Sequence, residues 1–229
     1  LIIEVKLSHR RKSVSIQVSR GNVRLLAPSY LAEKDLLDFV LSKKNWIHAK
    51  LEQQKRLSKT HPVNVLATER KMLYLGENRN VSFDEEAKNA LTYSKQQFVV
   101  GVAALEASQN NAYFTKIFQQ FYAHKANEDF PHRLNRWVEH CGLLPTKLTI
   151  KRYKARWGSC NNKGEISLNY LLIMTPEFVI DYVIIHELCH LTHLNHSKKF
   201  WSLVERFCPD YKSAKEWLQQ HGYILDWVS

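Results

Sequence analysis

Glycine and proline are scarce in this chain, 7 and 6 among 229 residues, which excludes collagen-like and long low-complexity segments. Cysteine is scarce as well. The four present, Cys141, Cys160, Cys189 and Cys208, contain no C-x-x-C pair. Their spacing supports neither a disulfide framework nor a four-cysteine zinc site. A reducing, cytoplasmic compartment is therefore the expectation. Long hydrophobic runs are missing too: stretches such as Tyr182–Ile185 are far too short to cross a bilayer, so no membrane role is expected. The opening Leu1-Ile2-Ile3-Glu4-Val5 lacks the basic-then-apolar layout of a signal peptide and has no initiator Met, which leaves the natural start open. Carboxylates are outnumbered, with 33 Lys and Arg against 22 Asp and Glu, a net charge of +11. That surplus suits a polyanionic partner such as nucleic acid or a nucleotide. It is equally what a soluble basic domain carries for solubility alone.

The elements that are present read as a mixture of strands and helices. Glu4-Val5-Lys6-Leu7 and Val14–Val18 alternate polar and apolar residues as half-buried strands do. Gly21-Asn22 marks a turn before Val23–Leu26, and the three segments are expected to form a small antiparallel sheet ending at Pro28-Ser29. Two helices follow, one with Leu36, Leu37, Val40 and Leu41 and one with Trp46, Ile47 and Leu51, closing on Lys55-Arg56. Pro62 marks a break. Met72–Gly76, Val81–Phe83, Ala90–Tyr93 and Gln97–Val102 read as short strands. A helix is expected from about Asn111 to about Val138, broken near Pro131. Leu148–Ile150 and Gly164–Leu168 read as strands flanking an irregular stretch, Trp157–Lys163. Thr175 is the expected cap and Pro176 the first residue of a helix apolar on nearly all sides, hence a buried one. Asn195 is expected to end it, and Ser197 to cap the next.

Residues 186–196 read His-Glu-Leu-Cys-His-Leu-Thr-His-Leu-Asn-His. Histidines four apart project from one face of a helix within reach of a single ion, and Glu187 beside the first can reach a metal-bound water. A charged group inside an apolar helix is costly without a partner, and a metal removes that cost. The third ligand is His193 or His196. Three ligands along one straight helix spread over roughly 10 Å at about 1.5 Å per residue and cannot converge on one ion. Asn195 tolerates a left-handed turn that would swing His196 back onto the metal, so His196 is the expected third ligand and His193 a solvated residue at the helix end. Three protein ligands leave one position for water, as in catalytic rather than structural zinc sites. Zinc is the ion three imidazoles suit, with nickel a second occupant in recombinant material.

These residues resemble a known family. Arg156-Trp157-Gly158-Ser159-Cys160, then Gly164–Asn169, then Tyr182–His190, and finally Asn195-His196-Ser197 with Phe200-Trp201 are similar to the YgjP-like metallopeptidases, related to the WLM zincin-type proteases. Arg10–Ile16 also looks like the opening of that family. The order of strands and helices reads as an α+β protein with an N-terminal β-rich portion and two helices over residues 1–110, and the resemblance implies a zincin-like metallohydrolase core over 111–229. It supports His186, His190 and His196 as ligands and Glu187 as base. The spacing is also similar to the metzincin pattern, but His193 replaces its glycine, and both methionines, Met72 and Met174, lie upstream of the motif.

The substrate is less constrained. A peptide bond attacked by metal-activated water is the first reading. A nucleoside triphosphate is the second, since a relative of the family is described as a UTP pyrophosphatase and basic residues abound. A metal-stabilised nucleic-acid adaptor is the third; it accounts for the charge but not for a base beside an open metal site. Arg152, Arg156, Trp157 and Ser159 are the candidate substrate-binding residues. The stretch Trp157–Cys160 reads either as a cleft wall with free backbone groups or as a tight turn with a core tryptophan. Cys160 has no feature that would lower its pKa and is not a nucleophile candidate. No motif sets an oligomeric state.

Overall fold

Alternation at the start of the chain produces β1 (Ile3–Ser8), β2 (Ser15–Ser19) and β3 (Asn22–Pro28), followed by α1 (Glu33–Ser42) and α2 (Lys44–Lys59). A computed structural model describes residues 2–19, 21–59, 66, 68–101, 111–222 and 224. Pro62, Val102 and the boundary expected at residue 110 lie outside them. The sheet is not wholly antiparallel: β1 runs parallel to β3, with Ile3 opposite Val23 and Ser8 opposite Pro28, while β2 pairs antiparallel with β3. Burial explains the order β1-β3-β2. Val23, Leu25 and Ala27 make β3 the most apolar strand, so it takes the centre, and β1, with Glu4 to Leu7 exposed, takes an edge. Leu36 from α1 closes a small core over Leu25 and Ala27.

The chain divides into two compact units, Leu1–Thr60 and His61–Ser229. The second begins with β4 (Lys71–Tyr74), β5 (Glu77–Asp84), β6 (Leu91–Ser94) and β7 (Gln97–Gly101), in the order β4-β5-β7-β6. Sequence reading grouped these strands with the N-terminal portion. They belong to the second unit because Met72, Val81, Phe98 and Val100 share one core with Ile117, Phe118 and Tyr122 of α3 (Asn111–Cys141). Phe98 meets Phe118 and Phe121 at 5.1 and 5.3 Å between ring centres, and Tyr122 donates to the Leu73 carbonyl at 2.6 Å. The expected break at Pro131 does not occur; α3 continues through it. Phe130 and Leu134 on either side are buried in the core, and that burial offsets the lost backbone hydrogen bond.

A second three-stranded sheet, β8 (Lys147–Lys151), β9 (Gly158–Cys160) and β10 (Glu165–Asn169), has the order β8-β10-β9, with β9 antiparallel at an edge. β9 lies inside the stretch that the sequence presented as irregular. A fully buried 3₁₀ turn, Tyr170–Met174, leads to α4 (Glu177–Cys189), then α5 (Lys198–Phe207) and α6 (Tyr211–Gln220). The architecture is α+β. Among the described residues no helix is long and apolar enough to cross a membrane.

Two contacts set the start of α4. Thr175 is not its cap: its hydroxyl donates to the Leu172 carbonyl at 2.8 Å, and Pro176 occupies the cap position. Thr175 is wholly buried, so its hydroxyl needs the nearest acceptor. The β4–β5 turn docks here through Leu75 N–H to Ile173 O and Gly76 N–H to Met174 O, both 3.0 Å. Gly76 has φ +82, and a Cβ there would lie 2.6 Å from Pro176 Cγ, so only glycine serves. From the other side Arg133 of α3, 8% exposed, holds Asp129, Glu177 and Asp181 at 2.5, 2.8 and 3.2 Å. Replacing Arg133 by Ala leaves three carboxylates facing one another at the start of the metal helix. The expected loss is about 2 kcal/mol in urea unfolding, below the range for a fully buried pair because Glu177 is largely solvated. An unchanged unfolding midpoint would show that the cluster does not hold α4 in place.

Candidate metal centre

α4 is buried along most of its length, with Val179, Ile180, Val183, Ile184, Leu188 and Cys189 all inside. Into this apolar setting it carries His186 and Glu187, with His190 as its C-terminal cap residue. The helix ends at Cys189, earlier than expected, and the chain turns through Leu191 N–H to Leu188 O and His193 N–H to Cys189 O at 3.0 Å each. That turn brings His196 back. Asn195 is not in a left-handed conformation; its side-chain oxygen instead accepts from Ser197 N–H at 3.2 Å. Ser197 then caps α5 by accepting from Phe200 N–H.

The result is a cluster in which His186, His190 and His196 each offer a ring nitrogen, all within 4.8 Å of one another. His186 Nε2 and His196 Nε2 are 3.1 Å apart. Ligand atoms around one tetrahedral zinc, with bonds of about 2.0–2.1 Å, stand roughly 3.3 Å from each other. His190 Nδ1 lies 2.9 Å from the His193 carbonyl, which makes Nδ1 the donor and leaves Nε2 as the lone-pair nitrogen for a metal. His193 thus contributes its backbone rather than its ring, and it stands outside the three-histidine cluster. Burial, with the neighbouring imidazoles of His190 and His196, pushes the His186 pKa down to about 3. The His196 pKa is also lowered, first by burial and then by His190 and Lys215. Neutral imidazoles are the form that binds metal. The donor set, spacing and protonation all fit one divalent ion.

Phe200 forms the floor of the cluster. It is fully buried, its ring lies 4.5 Å from that of His190 in a stacked arrangement, and it meets His186 and His196 at 5.0 and 4.8 Å. Trp201 stacks on His196 at 5.7 Å and on Tyr211 at 5.3 Å, with Lys215 Nζ 4.7 Å from its ring centre. The sequence showed Phe200-Trp201 as part of a pattern but gave neither residue a role. Aromatic rings three to five residues after a candidate ligand, on an amphipathic helix, were the available signal.

Glu187 is 5% exposed, and its Oε2 has no hydrogen-bond partner among the described residues. Burial raises its pKa to about 8, with the charge of Arg156 opposing that rise. β9 passes directly against it: a Cβ on Gly158 would lie 2.6 Å from Glu187 Oε1 and 2.8 Å from Cγ. An isolated glycine in a strand marks close approach of another group, and here that group is the Glu187 carboxyl. Gly158 was overlooked as a site residue for want of its neighbour. The loop before β9 is pinned by Asn169, also missed. Asn169 is fully buried, its Nδ2 donates to the Tyr153 and Arg156 carbonyls at 3.1 Å each, and its Oδ1 accepts from Leu171 N–H.

The candidate substrate residues separate in the structure. Arg156 is exposed, near enough to Glu187 to act on its pKa, with its guanidinium 5.6 Å from the Tyr153 ring centre. Arg152 turns inward and donates to the Tyr153 carbonyl. Trp157 packs partly buried against the core, and its carbonyl accepts from Asn169 N–H at 2.8 Å. Ser159 alternates with Gly158 along β9, so it faces away from Glu187, where its hydroxyl meets that of Tyr153 at 2.7 Å. The Cys160 thiol pKa is raised by burial and by Glu187, in keeping with its exclusion as a nucleophile.

A family model described as "YgjP-like, metallopeptidase domain" matches residues 12–221. No curated protein matches. Among solved structures, the chain is similar to the crystal structure of the metallopeptidase zymogen of Pyrococcus abyssi abylysin at 24% identity, over 38% of this chain and 90% of that one, with a TM-score of 0.36.

Two outcomes follow from the geometry. In metal-free protein, Glu187 holds its proton more tightly folded than unfolded, so stability falls as pH rises from about 4.5 toward about 8. His186, with a folded pKa of about 3 against 6.5 unfolded, costs stability as pH falls below 6.5. Each contribution is on the order of a few kcal/mol. Thermal unfolding in chelator should therefore be pH-dependent on both sides, and Glu187→Gln should flatten the alkaline side. An unaltered alkaline slope in that variant would assign the effect to another group. Gly158→Ala should displace the Glu187 carboxylate, keep metal binding within about twofold, and lower turnover at least about tenfold.

Proposed function

This chain belongs to the YgjP-like metallopeptidase family, and on that premise we propose that it hydrolyses peptide bonds with a zinc ion held by His186, His190 and His196. The observation that carries the proposal is the convergence of three imidazole nitrogens within 4.8 Å beside a buried carboxyl that follows the first ligand in sequence. Membership of that family supports a metal-dependent hydrolase.

Zinc bound there would lower the pKa of a water to about 7 and polarise the scissile carbonyl. The remaining steps rest on the chain itself. Glu187 accepts the proton of the attacking water and delivers it to the departing amine nitrogen. Its seat against Gly158 fixes the carboxylate orientation, so little reorganisation is needed during proton transfer. β9 is an edge strand and can pair its outer backbone groups with an extended substrate. Phe200 packs beneath the imidazoles, 5.0 Å from the His186 ring, and adds to the burial that keeps His186 neutral.

Two observations favour a peptide over a nucleoside triphosphate. The unit that carries the histidines, residues 61–229, has 20 Lys and Arg against 17 Asp and Glu, a near balance. Arg152, one of the candidate substrate-binding residues, turns its guanidinium toward the Tyr153 carbonyl. A triphosphate brings several charges at once and requires free cations around it. All four cysteines are free thiols, which accords with a reducing, cytoplasmic setting.

Elemental analysis of purified protein is expected to give about one zinc per chain. His190→Ala loses the metal and His193→Ala keeps it. Glu187→Gln retains metal and loses about 10²–10⁴-fold in turnover, because the amide cannot take the proton. A peptide library and a set of nucleoside triphosphates, assayed with Glu187→Gln as blank, separate the substrate classes. Pyrophosphate release without peptide cleavage would overturn the peptidase reading; wild-type turnover in Glu187→Gln would remove Glu187 from the role of base.

A further inference from the structure

The basic surplus of this protein is unevenly placed. Residues 1–60 contain 13 Lys and Arg against 5 Asp and Glu, net +8 of the total +11. Within them, residues 5–32 carry six cations, Lys6, Arg10, Arg11, Lys12, Arg20 and Arg24, and no carboxylate. The acidic residues of the unit lie elsewhere: Glu33, Asp35 and Asp38 on α1, Glu52 on α2, and Glu4, which holds Arg24 at 2.8 Å. Glu4 also lies 3.6 Å from Lys6, so among the described residues the cations of residues 5–32 outside ion pairs are Arg10, Arg11 and Lys12, at one end of the sheet.

That end is the β1–β2 turn, and the parallel pairing of β1 with β3 places a second segment beside it. Ser8 stands opposite Pro28, and Ser29 Oγ lies 2.7 Å from His9 Nδ1. The next residue, Tyr30, is 73% exposed. Arg10 and Lys12 are exposed. Arg11 is braced: its Nη2 donates to Ser15 Oγ at 2.8 Å and its Nε to the Ser13 carbonyl at 3.5 Å. Among the described residues none of the three is in an ion pair. A pre-oriented guanidinium with donors to spare, two flanking cations and a solvent-facing ring together resemble no packing solution.

We infer that the turn Arg10-Arg11-Lys12 and the adjacent Tyr30 form a docking surface for single-stranded nucleic acid, separate in function from the hydrolase chemistry. The cations engage successive phosphates, and guanidinium geometry suits their oxygens. Tyr30 offers a stacking face to an unpaired base, which works for any base identity. A lipid surface is the poorer fit. Residues His9–Ser13 include no apolar side chain to insert.

The test uses the full chain and a fluorescein-labelled 20-nucleotide single-stranded DNA, read by anisotropy between 50 and 200 mM salt. Binding should weaken linearly on a log–log plot. The combined variant Arg10→Ala, Arg11→Ala, Lys12→Ala should lose at least about tenfold in affinity and flatten the salt slope by about 2, since each single-strand phosphate contact contributes about 0.7. Tyr30→Ala should weaken binding about fivefold or more with the slope unchanged. Peptidase turnover should match wild type in both, and their circular dichroism melts should as well. No binding at 50 mM salt, variants that bind like wild type, or a variant melt that collapses while Tyr30→Ala binds normally would each overturn the proposal. Equal or tighter binding to polyglutamate, to duplex DNA or to vesicles containing 30% phosphatidylserine would overturn the assignment to single strands.

Discussion

A carboxyl group inside an apolar helix is the constraint around which the rest of the second unit is arranged. Glu187 sits among Ile184, Ile185 and Leu188 with one oxygen unpartnered. A carboxylate in such surroundings is stable only if it is neutral or faces a compensating positive charge. Without metal, burial resolves the conflict by raising its pKa to about 8. The imidazole beside it resolves the same conflict in the opposite direction, losing its proton down to about 3. A carboxyl that resists ionising and an imidazole that resists protonation are adjacent in sequence here. A divalent cation welcomes both the negative charge and the free lone pair.

Such a cluster depends on the position of α4, since displacing it would separate His186 and His190 from His196, which lies beyond the helix end. Four restraints converge on this helix. Arg133 ties its first turn to α3, and the Gly76 turn abuts Pro176 at its cap. Gly158 lets β9 close on Glu187, and Asn169 pins the loop that delivers β9 by bonding two of its carbonyls. Each restraint uses a residue whose chemistry leaves little choice: a guanidinium with forked donors, glycines where a Cβ would clash, and a buried amide with every contact satisfied.

The convergence of His186, His190 and His196 was legible in the sequence because helical spacing, flanking apolar residues and donor type all coincide within eleven positions. The restraints were not, since each depends on a neighbour distant in the chain. Gly158 is unremarkable without Glu187, 29 positions away, and Arg133 is one more helical cation until Glu177 and Asp181 arrive opposite it. The same reason explains the local misreadings. Thr175 has good capping chemistry, but burial commits its hydroxyl to Leu172. Asn195 turns the chain with its side chain rather than with a left-handed backbone. The N-terminal sheet had a readable hairpin at Gly21, whereas the parallel partnership of β1 with β3 follows from which strand is most apolar, a comparison among three segments rather than a signal in one.

Charge was the most ambiguous sequence property, and its distribution changes what it can explain. Read as a whole, +11 argued for a polyanionic substrate at the metal and kept triphosphate hydrolysis close to peptide hydrolysis. Divided at Thr60, the unit containing the histidines keeps only +3 and the N-terminal unit holds +8. Net charge acts on partners through the surface that carries it, because screening at physiological salt limits its reach to about 8 Å. The surplus in residues 1–60 therefore bears on what that unit itself binds. Among the described residues, the cations whose charge bears on the cluster include Arg156, beside Glu187, and Lys215, which acts on His186 and His196. Isolated cations of this kind suit a single developing oxyanion or one substrate carboxylate better than a triphosphate chain, which brings several charges at once.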